Sequence, residues 1–244
     1  MVENKTYAEG APCWAQLLTR DAAAAERFYA ALFGWECHDQ GGWSTARLGG
    51  RPVAAITPFE QAADPPAWTV YLAVADLAAA TARLEAAGGK LIEGPVAGYV
   101  LASDPAGATF ALFQPGEFAG AGVTAEPGAM SWAEVNSPDG EVADAFYHAV
   151  LGYEREPVPT GGVDYMVYRS GGEPVCGRLR MDEHWEGVPS HWMVYFDTGD
   201  LDAACATVTR LGGQVPVEPF GSPYGRVAVV SHPAGGFFSL REPG

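Results

Sequence analysis

The segment FYAALFGWE, from Phe28 to Glu36, returns as FYHAVLGYE, from Phe146 to Glu154. A chain that repeats itself must fold by using one supersecondary unit more than once, so this feature constrains the architecture more than composition does. Phe146-Tyr147 follows Phe28-Tyr29 by 118 residues, and the same shift carries Trp14 onto Trp132, Gly34 onto Gly152 and Glu36 onto Glu154. Farther on, Trp68-Thr69-Val70-Tyr71 matches Trp192-Met193-Val194-Tyr195, Asp76-Leu77 matches Asp200-Leu201, and Gly88-Gly89 matches Gly212-Gly213, now at 124. Asp104-Pro105-Ala106-Gly107 then meets His232-Pro233-Ala234-Gly235 at 128. Ordered matches with slowly rising offsets mean that the chain is written twice. The first lengthening of the second copy falls most easily in the loop MDEHWEGVPS. Gly, Pro and small residues cluster between Gln114 and Gly128, as in a linker. The expected organisation is a first domain over 1–118, a linker over 119–128 and a second domain over 129–244.

Each half divides again. In WAQLLTRDAAAAERFYAALFGWE a strand is followed by Asp21 as helix N-cap and by a helix that closes at Gly34. Ala25, Phe28, Tyr29 and Leu32 fall at i, i+3, i+4 and i+7, which makes one apolar helical face. WTVYLAVADLAAATARLEAAGGKL repeats this grammar with Asp76 as the cap. Short β-rich runs broken by Gly and Pro follow each helix: WSTARL, PVAAIT, GYVLAS and ATFALF. The whole predicts an α+β protein of four β-α-β-β-β units. One such unit leaves a sheet face open, and pairing two units curls their sheets around a shared cavity with the helices outside.

Charge removes several functions. The chain has 14 Lys and Arg against 30 Asp and Glu, a formal charge of −16, which repels phosphate backbones and anionic lipid. Neither a nucleic-acid nor a membrane partner is expected. No run of about 18 apolar residues suggests a span, and the start MVENKTYAEGAPC lacks the apolar core of a signal peptide. Cys13, Cys37, Cys176 and Cys205 are scattered without a CxxC pair and read as thiols in a reducing compartment, the cytoplasm.

The spacings Asp21-x6-Phe28-Tyr29-x4-Gly34 and Asp139-x6-Phe146-Tyr147-x4-Gly152, with the paired strand-Asp-helix-Gly-Gly and Asp/His-Pro-Ala-Gly segments, resemble the vicinal oxygen chelate superfamily. That superfamily includes glyoxalase I, extradiol dioxygenases and bleomycin-resistance proteins. The resemblance runs from about Ala11 to Leu240 and implies two tandem glyoxalase/bleomycin-resistance-like domains. It also implies where a metal would sit. The ligands of the family's metal enzymes, His, Gln or Glu, lie on the first and last strands of the units, seven residues before the capping Asp on a first strand. Those positions hold Trp14, Thr69, Trp132 and Met193, and the last-strand positions fall near Ala54 or Ala55, Ala111, Cys176 or Gly177, and Ser239. A hard divalent cation needs several converging N or O donors. A lone Cys176 does not supply them, and Gln16 and Glu134 are displaced along their strands. The expectation is no metal and no cofactor.

Strand parity names what remains on the cavity faces. The first half offers Trp14, Gln16, Thr69, Tyr71, Thr109 and Phe113. The second offers Trp132, Glu134, His191, Met193, Tyr195, Phe237, Ser239 and Arg241. The opposite parity, Leu17, Val70, Leu72, Phe110 and Leu112, is expected to be core. A strand tryptophan is ordinarily core filler. Here the repeat places Trp14 and Trp132 where the family's ligands point into the cavity, as flat surfaces for an aromatic compound. Glu134, His191, Tyr195 and Arg241 form the polar set. Glu134 beside indole would be desolvated and suited to act as a general base, with Tyr195 assisting; the bland alternative is a Glu134–Arg241 ion pair with His191 at the surface. His184 reads as exposed, His38 and His148 as partnerless, and His232, in the place of Asp104, as turn chemistry. The loops ITPFEQAADPPAW and MDEHWEGVPSHW are expected to rim the cavities.

Two functions stay open on these residues. One is a metal-independent binder of a small hydrophobic or aromatic ligand, as monomer or homodimer, acting in resistance, sequestration or transport. The other is a metal-free enzyme that does acid-base chemistry on such a compound through Glu134. A metal-dependent glyoxalase- or dioxygenase-like enzyme is disfavoured by the missing ligands.

Overall fold

Each of the four helices begins where an aspartate can close it. Asp21, Asp76, Asp139 and Asp200 accept hydrogen bonds from the backbone N–H of Ala24, Ala79, Val142 and Ala203 at 2.8, 2.9, 3.0 and 2.9 Å. These N–H groups belong to first turns, which have no intrahelical acceptors. A computed structural model describes residues 6–60, 66–159 and 162–244. Its helices are α1 (Ala22–Phe33), α2 (Leu77–Ala86), α3 (Gly140–Leu151) and α4 (Leu201–Arg210). Helices α1 and α3 stop at Gly34 and Gly152, both left-handed at φ 72°, a conformation that disfavours any residue with a Cβ. On α1, Ala25, Phe28 and Tyr29 are buried as expected, whereas Leu32 is only half-buried. Among the described residues no helix is long and apolar enough to cross a membrane.

Four strands accompany each helix. Around α1 lie β1 (Pro12–Thr19), β2 (Glu36–Asp39), β3 (Ser44–Leu48) and β4 (Arg51–Pro58); around α2, β5 (Ala67–Ala73), β6 (Lys90–Val96), β7 (Tyr99–Ser103) and β8 (Thr109–Phe113). The second half repeats this with β9 (Met130–Ser137), β10 (Glu154–Pro159), β11 (Asp164–Ser170) and β12 (Glu173–Arg180), then β13 (His191–Asp197), β14 (Gln214–Ser222), β15 (Gly225–Ser231) and β16 (Phe237–Glu242). The strands form two eight-stranded mixed sheets, ordered β2-β3-β4-β1-β5-β8-β7-β6 and β10-β11-β12-β9-β13-β16-β15-β14. In every module the first strand pairs in parallel with the last, and the later strands pair antiparallel. The α+β class and the four βαβββ units are those expected from the sequence.

Packing divides the chain differently from the sheets. One compact unit joins Val70–Gly120 to Ala133–Trp192 and the described part of Met1–Cys13; the other joins Trp14–Thr69, Ala121–Trp132 and Met193–Gly244. In the former, the buried Tyr147 hydroxyl accepts from the Trp192 indole at 2.8 Å and donates to Asp104 at 3.2 Å. Phe110, Phe146, Tyr153 and Tyr168 surround its ring. In the latter, Tyr29 accepts from the Trp68 indole at 3.1 Å, with Trp35, Phe33, Phe238 and His232 around it. His232 Nδ1 accepts the N–H of Ala234 at 3.0 Å, as Asp104 Oδ1 accepts that of Ala106 at 2.9 Å. His232 is turn chemistry, as its place in the repeat implies.

One core feature has no counterpart among the sequence expectations. Arg178 is buried, forks onto Asp144 of α3 at 3.2 and 3.1 Å and reaches Asp164 at 2.8 Å. The Asp144 carboxylate also accepts from the Tyr168 hydroxyl at 2.8 Å. A Cβ on Gly140 would stand 2.9 Å from the guanidinium carbon, so α3 opens on glycine to admit the pair.

The tyrosine bonds make a prediction. Tyr147→Phe leaves Trp192 and Asp104 without their partner and should cost about 1–3 kcal/mol, whereas Tyr29→Phe, which deprives one indole, should cost less. Urea unfolding followed by near-ultraviolet circular dichroism measures both. Equal losses would mean that the bond to Asp104 adds nothing.

Candidate functional site

Alternation gives every strand two faces, and the helices identify one of them. Leu17, Val70, Leu72, Phe110 and Leu112 are 0–1% exposed, as their parity requires of core residues. On β9 and β12, Val135 pairs with Arg178, which reaches Asp144 on α3. Trp132, Glu134 and Asn136 therefore occupy the opposite face, away from the helix.

The register fixes the last-strand positions. Gln16 pairs with Ala55, Tyr71 with Ala111, Glu134 with Gly177 and Tyr195 with Ser239. Each larger first-strand side chain thus has a small neighbour on its own face. Gly177 rather than Cys176 takes the face in question, because Cys176 pairs with Tyr168 and turns to the helix side. Burial pushes the Cys176 thiol up to about 12.

The metal of the family's enzymes does not fit these residues. The matching positions hold Trp14, Thr69, Trp132 and Met193, with Ala55, Ala111, Gly177 and Ser239 across the register. Among the described residues no three His, Cys, Asp or Glu side chains converge on one point. Two indoles, a thioether, methyl groups and the lone hydroxyls of Thr69 and Ser239 offer a hard cation no carboxylate or imidazole cage.

In the unit containing Ala133–Trp192, Tyr71 packs edge-on to Tyr99 and Phe113, with centroids 5.4 and 6.3 Å away. Glu134 is 4% exposed. His191 is half-buried and held on both sides, not loose at the surface. Its Nδ1 lies 2.8 Å from the Pro189 carbonyl, which only accepts, so Nδ1 carries the hydrogen. Nε2 is then the lone-pair nitrogen, and the Asn136 amide nitrogen donates to it at 3.1 Å. Burial holds the His191 pKa below its usual range, so the ring is neutral at pH 7. Trp185, in the short 3-10 turn Glu183–Trp185, lies 6.1 Å from the imidazole.

In the other unit, Trp14, Thr69 and Met193 are buried, Trp132 and Tyr195 half-buried, and Phe237 is 47% exposed. Gln16 donates to Thr57 at 2.7 Å. Arg241 forks onto buried Asp197 at 2.7 and 3.0 Å, an ion pair that the sequence reading did not include. Carboxylate choice depends on register: Asp197 stands directly opposite Arg241, a relation invisible before β13 and β16 are paired.

The remaining histidines are structural. His184 is exposed and bonds Asp182 at 3.1 Å, and His38 stands 3.9 Å from Glu36. His148 meets the Tyr153 carbonyl at 2.8 Å, so it has a partner after all. The loop ITPFEQAADPPAW lies partly outside the described residues. Two surface cavities, about 470 Å³ beside Tyr7, Glu9 and Gln114 and about 410 Å³ beside Asp202, Cys205 and Glu218, include none of the candidate residues.

Sequence reasoning missed Asn136 and Asp197, although the repeat carried a signal for both. At the established offsets Asn136 matches Leu18, Asp197 matches Ala73, His191 matches Ala67, Ser239 matches Ala111 and Arg241 matches Phe113. The fold accepts apolar residues at all five places in its first half.

Comparison with known proteins agrees with this architecture. A family model described as a glyoxalase-like domain matches residues 14–113. The Mycobacterium tuberculosis protein CFP32, provisionally named a glyoxylase, is 36% identical over 259 residues, covering 100% of this chain and 98% of its own. The anthracycline biosynthesis protein DnrV of Streptomyces peucetius is 37% identical, covering 97% of this chain and 94% of its own. Among solved structures, the Mn(II)-bound glyoxalase of Novosphingobium aromaticivorans superimposes with a TM-score of 0.69 at 17% identity, covering 97% of this chain and 83% of that one.

The neutral histidine sets a pH dependence. Burial lowers the folded-state pKa of His191 below the unfolded value of about 6.5, so the unfolded chain binds the proton more readily. Its contribution to stability is present above about pH 6.5 and is lost as the pH falls through that value toward the folded pKa. Urea midpoints should therefore fall less steeply with acidification in His191→Ala than in the wild type. Identical slopes would contradict a neutral, buried ring.

Proposed function

Because the chain belongs to the glyoxalase-like family of vicinal oxygen chelate proteins, we propose that it is a metal-independent small-molecule-binding protein that holds an aromatic or conjugated compound. The carrying observation is what occupies the family's metal positions. Indole stands at Trp14 and Trp132, and Thr69 and Met193 complete the set. An indole presents a flat, polarisable surface with few rotamers to lose, suited to stacking a planar ligand. The small residues Ala55, Ala111, Gly177 and Ser239 leave the strands beside the larger side chains without bulk of their own. Relatives named for anthracycline biosynthesis support a ligand with fused aromatic rings. Sequestration or transport of such a compound is the function in view, with Gln16, Phe237, Ser239 and Arg241 as further contacts in the unit that holds Trp14 and Trp132, and Tyr71, Phe113 and His191 as candidate contacts within the other unit.

Calorimetric titration with 2-naphthol tests the reading. Saturable binding is expected, weakened about two- to tenfold by Trp14→Leu or Trp132→Leu, the range that one aromatic contact supports. Failure to bind, or affinity unchanged in both variants, would refute it.

A second reading rests on Glu134, a buried carboxylate on the same face of β9 as Trp132, opposite Gly177. In this position it would serve as a general base on a bound compound. Mass spectrometry after incubation with extracted small molecules distinguishes the two. A product formed by the wild type and absent with Glu134→Gln, at unchanged ligand affinity, would establish an enzyme. Compounds recovered unaltered would leave a carrier.

A further inference from the structure

We infer that Asn136 recognises a hydroxyl group on the aromatic ligand, and that His191 is the positioning residue that aims its amide. This role rests on the aromatic-ligand reading above and deepens it by naming a substituent.

The Pro189 carbonyl decides the orientation of everything that follows it. Because that oxygen takes the hydrogen of His191 Nδ1 at 2.8 Å, Nε2 has only a lone pair to offer. The group beside it, 3.1 Å away, must then be the amino end of Asn136. Rotating the amide by half a turn would set two acceptors against each other. The imidazole thus fixes the amide's orientation and commits its carbonyl end to the other direction.

That end, Asn136 Oδ1, is buried and has no hydrogen-bond partner, on a side chain 1% exposed. A buried carbonyl oxygen without a donor is costly, and native proteins rarely keep one unless something else supplies the hydrogen. The side chain lies on the face of β9 that also carries Glu134, away from α3. The strand's backbone is already satisfied there, since Ser190 donates to the Asn136 carbonyl at 2.9 Å.

The repeat argues against a structural need for this amide. Leu18 takes its place in the first half and Ala67 takes that of His191. The Ser239 Oγ, another buried side-chain oxygen without a partner, also belongs to the second half, where the first half has Ala111. The first half folds without polar atoms at these places. A neutral acceptor of this kind suits a neutral donor, and on an aromatic compound that donor is a ring hydroxyl. Its methyl ether brings no hydrogen and leaves Oδ1 unpaired.

The experiment uses the full-length protein, with 2-naphthol and its methyl ether as probes titrated by calorimetry. The wild type should prefer the naphthol by about tenfold, the usual consequence of one buried acceptor left unpaired. Asn136→Leu, which borrows the residue of the first half, should bring the ratio to about one while the ether's affinity holds. His191→Ala should shrink the ratio likewise, whereas a merely structural role would weaken both probes alike and leave the ratio at about tenfold. Asn136→Asp, which keeps an acceptor, should retain the preference. Equal affinity of the wild type for both probes, or a preference that survives Asn136→Leu, would overturn the inference while leaving the aromatic reading in place. Binding of neither probe would remove both.

Discussion

A buried hydrogen bond between a helix tyrosine and a strand indole recurs twice in this molecule, and much of the architecture is arranged around it. Trp68 donates to Tyr29 and Trp192 donates to Tyr147. Each bond satisfies an N–H that would otherwise be stranded among aromatic rings, and each fixes the rotation of a helix over its sheet. The two environments differ in one partner: Tyr147 also donates to Asp104, while His232 stacks on Tyr29 in its place. Burial raises the pKa of Asp104 despite the N–H groups of Ala106, Gly107 and Ala108 around it. The paired Phe-Tyr and Trp-x-Val-Tyr segments are therefore a packing device, and the repeated motif is explained by structure alone.

The chemistry is kept on the other side of the strands. Helix-facing residues repeat closely between halves because they share one packing problem. The opposite faces diverge. The first half has Leu18, Ala67, Ala73, Ala111 and Phe113 where the second has Asn136, His191, Asp197, Ser239 and Arg241. At these five places one half is apolar and the other carries hydrogen-bonding groups, some engaged in an ion pair and some unmatched. Duplication allows this asymmetry, since either half can change the residues on this face while the shared core grammar is retained.

Local features were legible in the sequence to the extent that their causes are local. The four aspartate caps and the glycine stops at Gly34 and Gly152 depend on a few residues of backbone, and they stand where the spacing put them. Strand parity sorted Leu17, Val70 and Phe110 correctly for the same reason. A last-strand position was legible only to within one residue, and one residue reverses the face: hence Cys176 or Gly177, settled by the register. Ion pairing was harder still. Arg241 meets Asp197, and Arg178 meets Asp144, across pairings that no spacing along the chain reveals. His191 resembled a surface residue because Pro189 and Asn136 act on it from a turn and a neighbouring strand.

Connectivity also runs against the direction of synthesis. Phe28 and Tyr29 emerge from the ribosome early, yet their aromatic neighbours His232 and Phe238 lie at the far end of the chain. The segments between Val70 and Trp192 can close on one another while the last module is still being made. The module translated first is thus the last to be completed. Part of its aromatic helix face stays uncovered until His232 and Phe238 are made, and that interval is when a chaperone has something to shield.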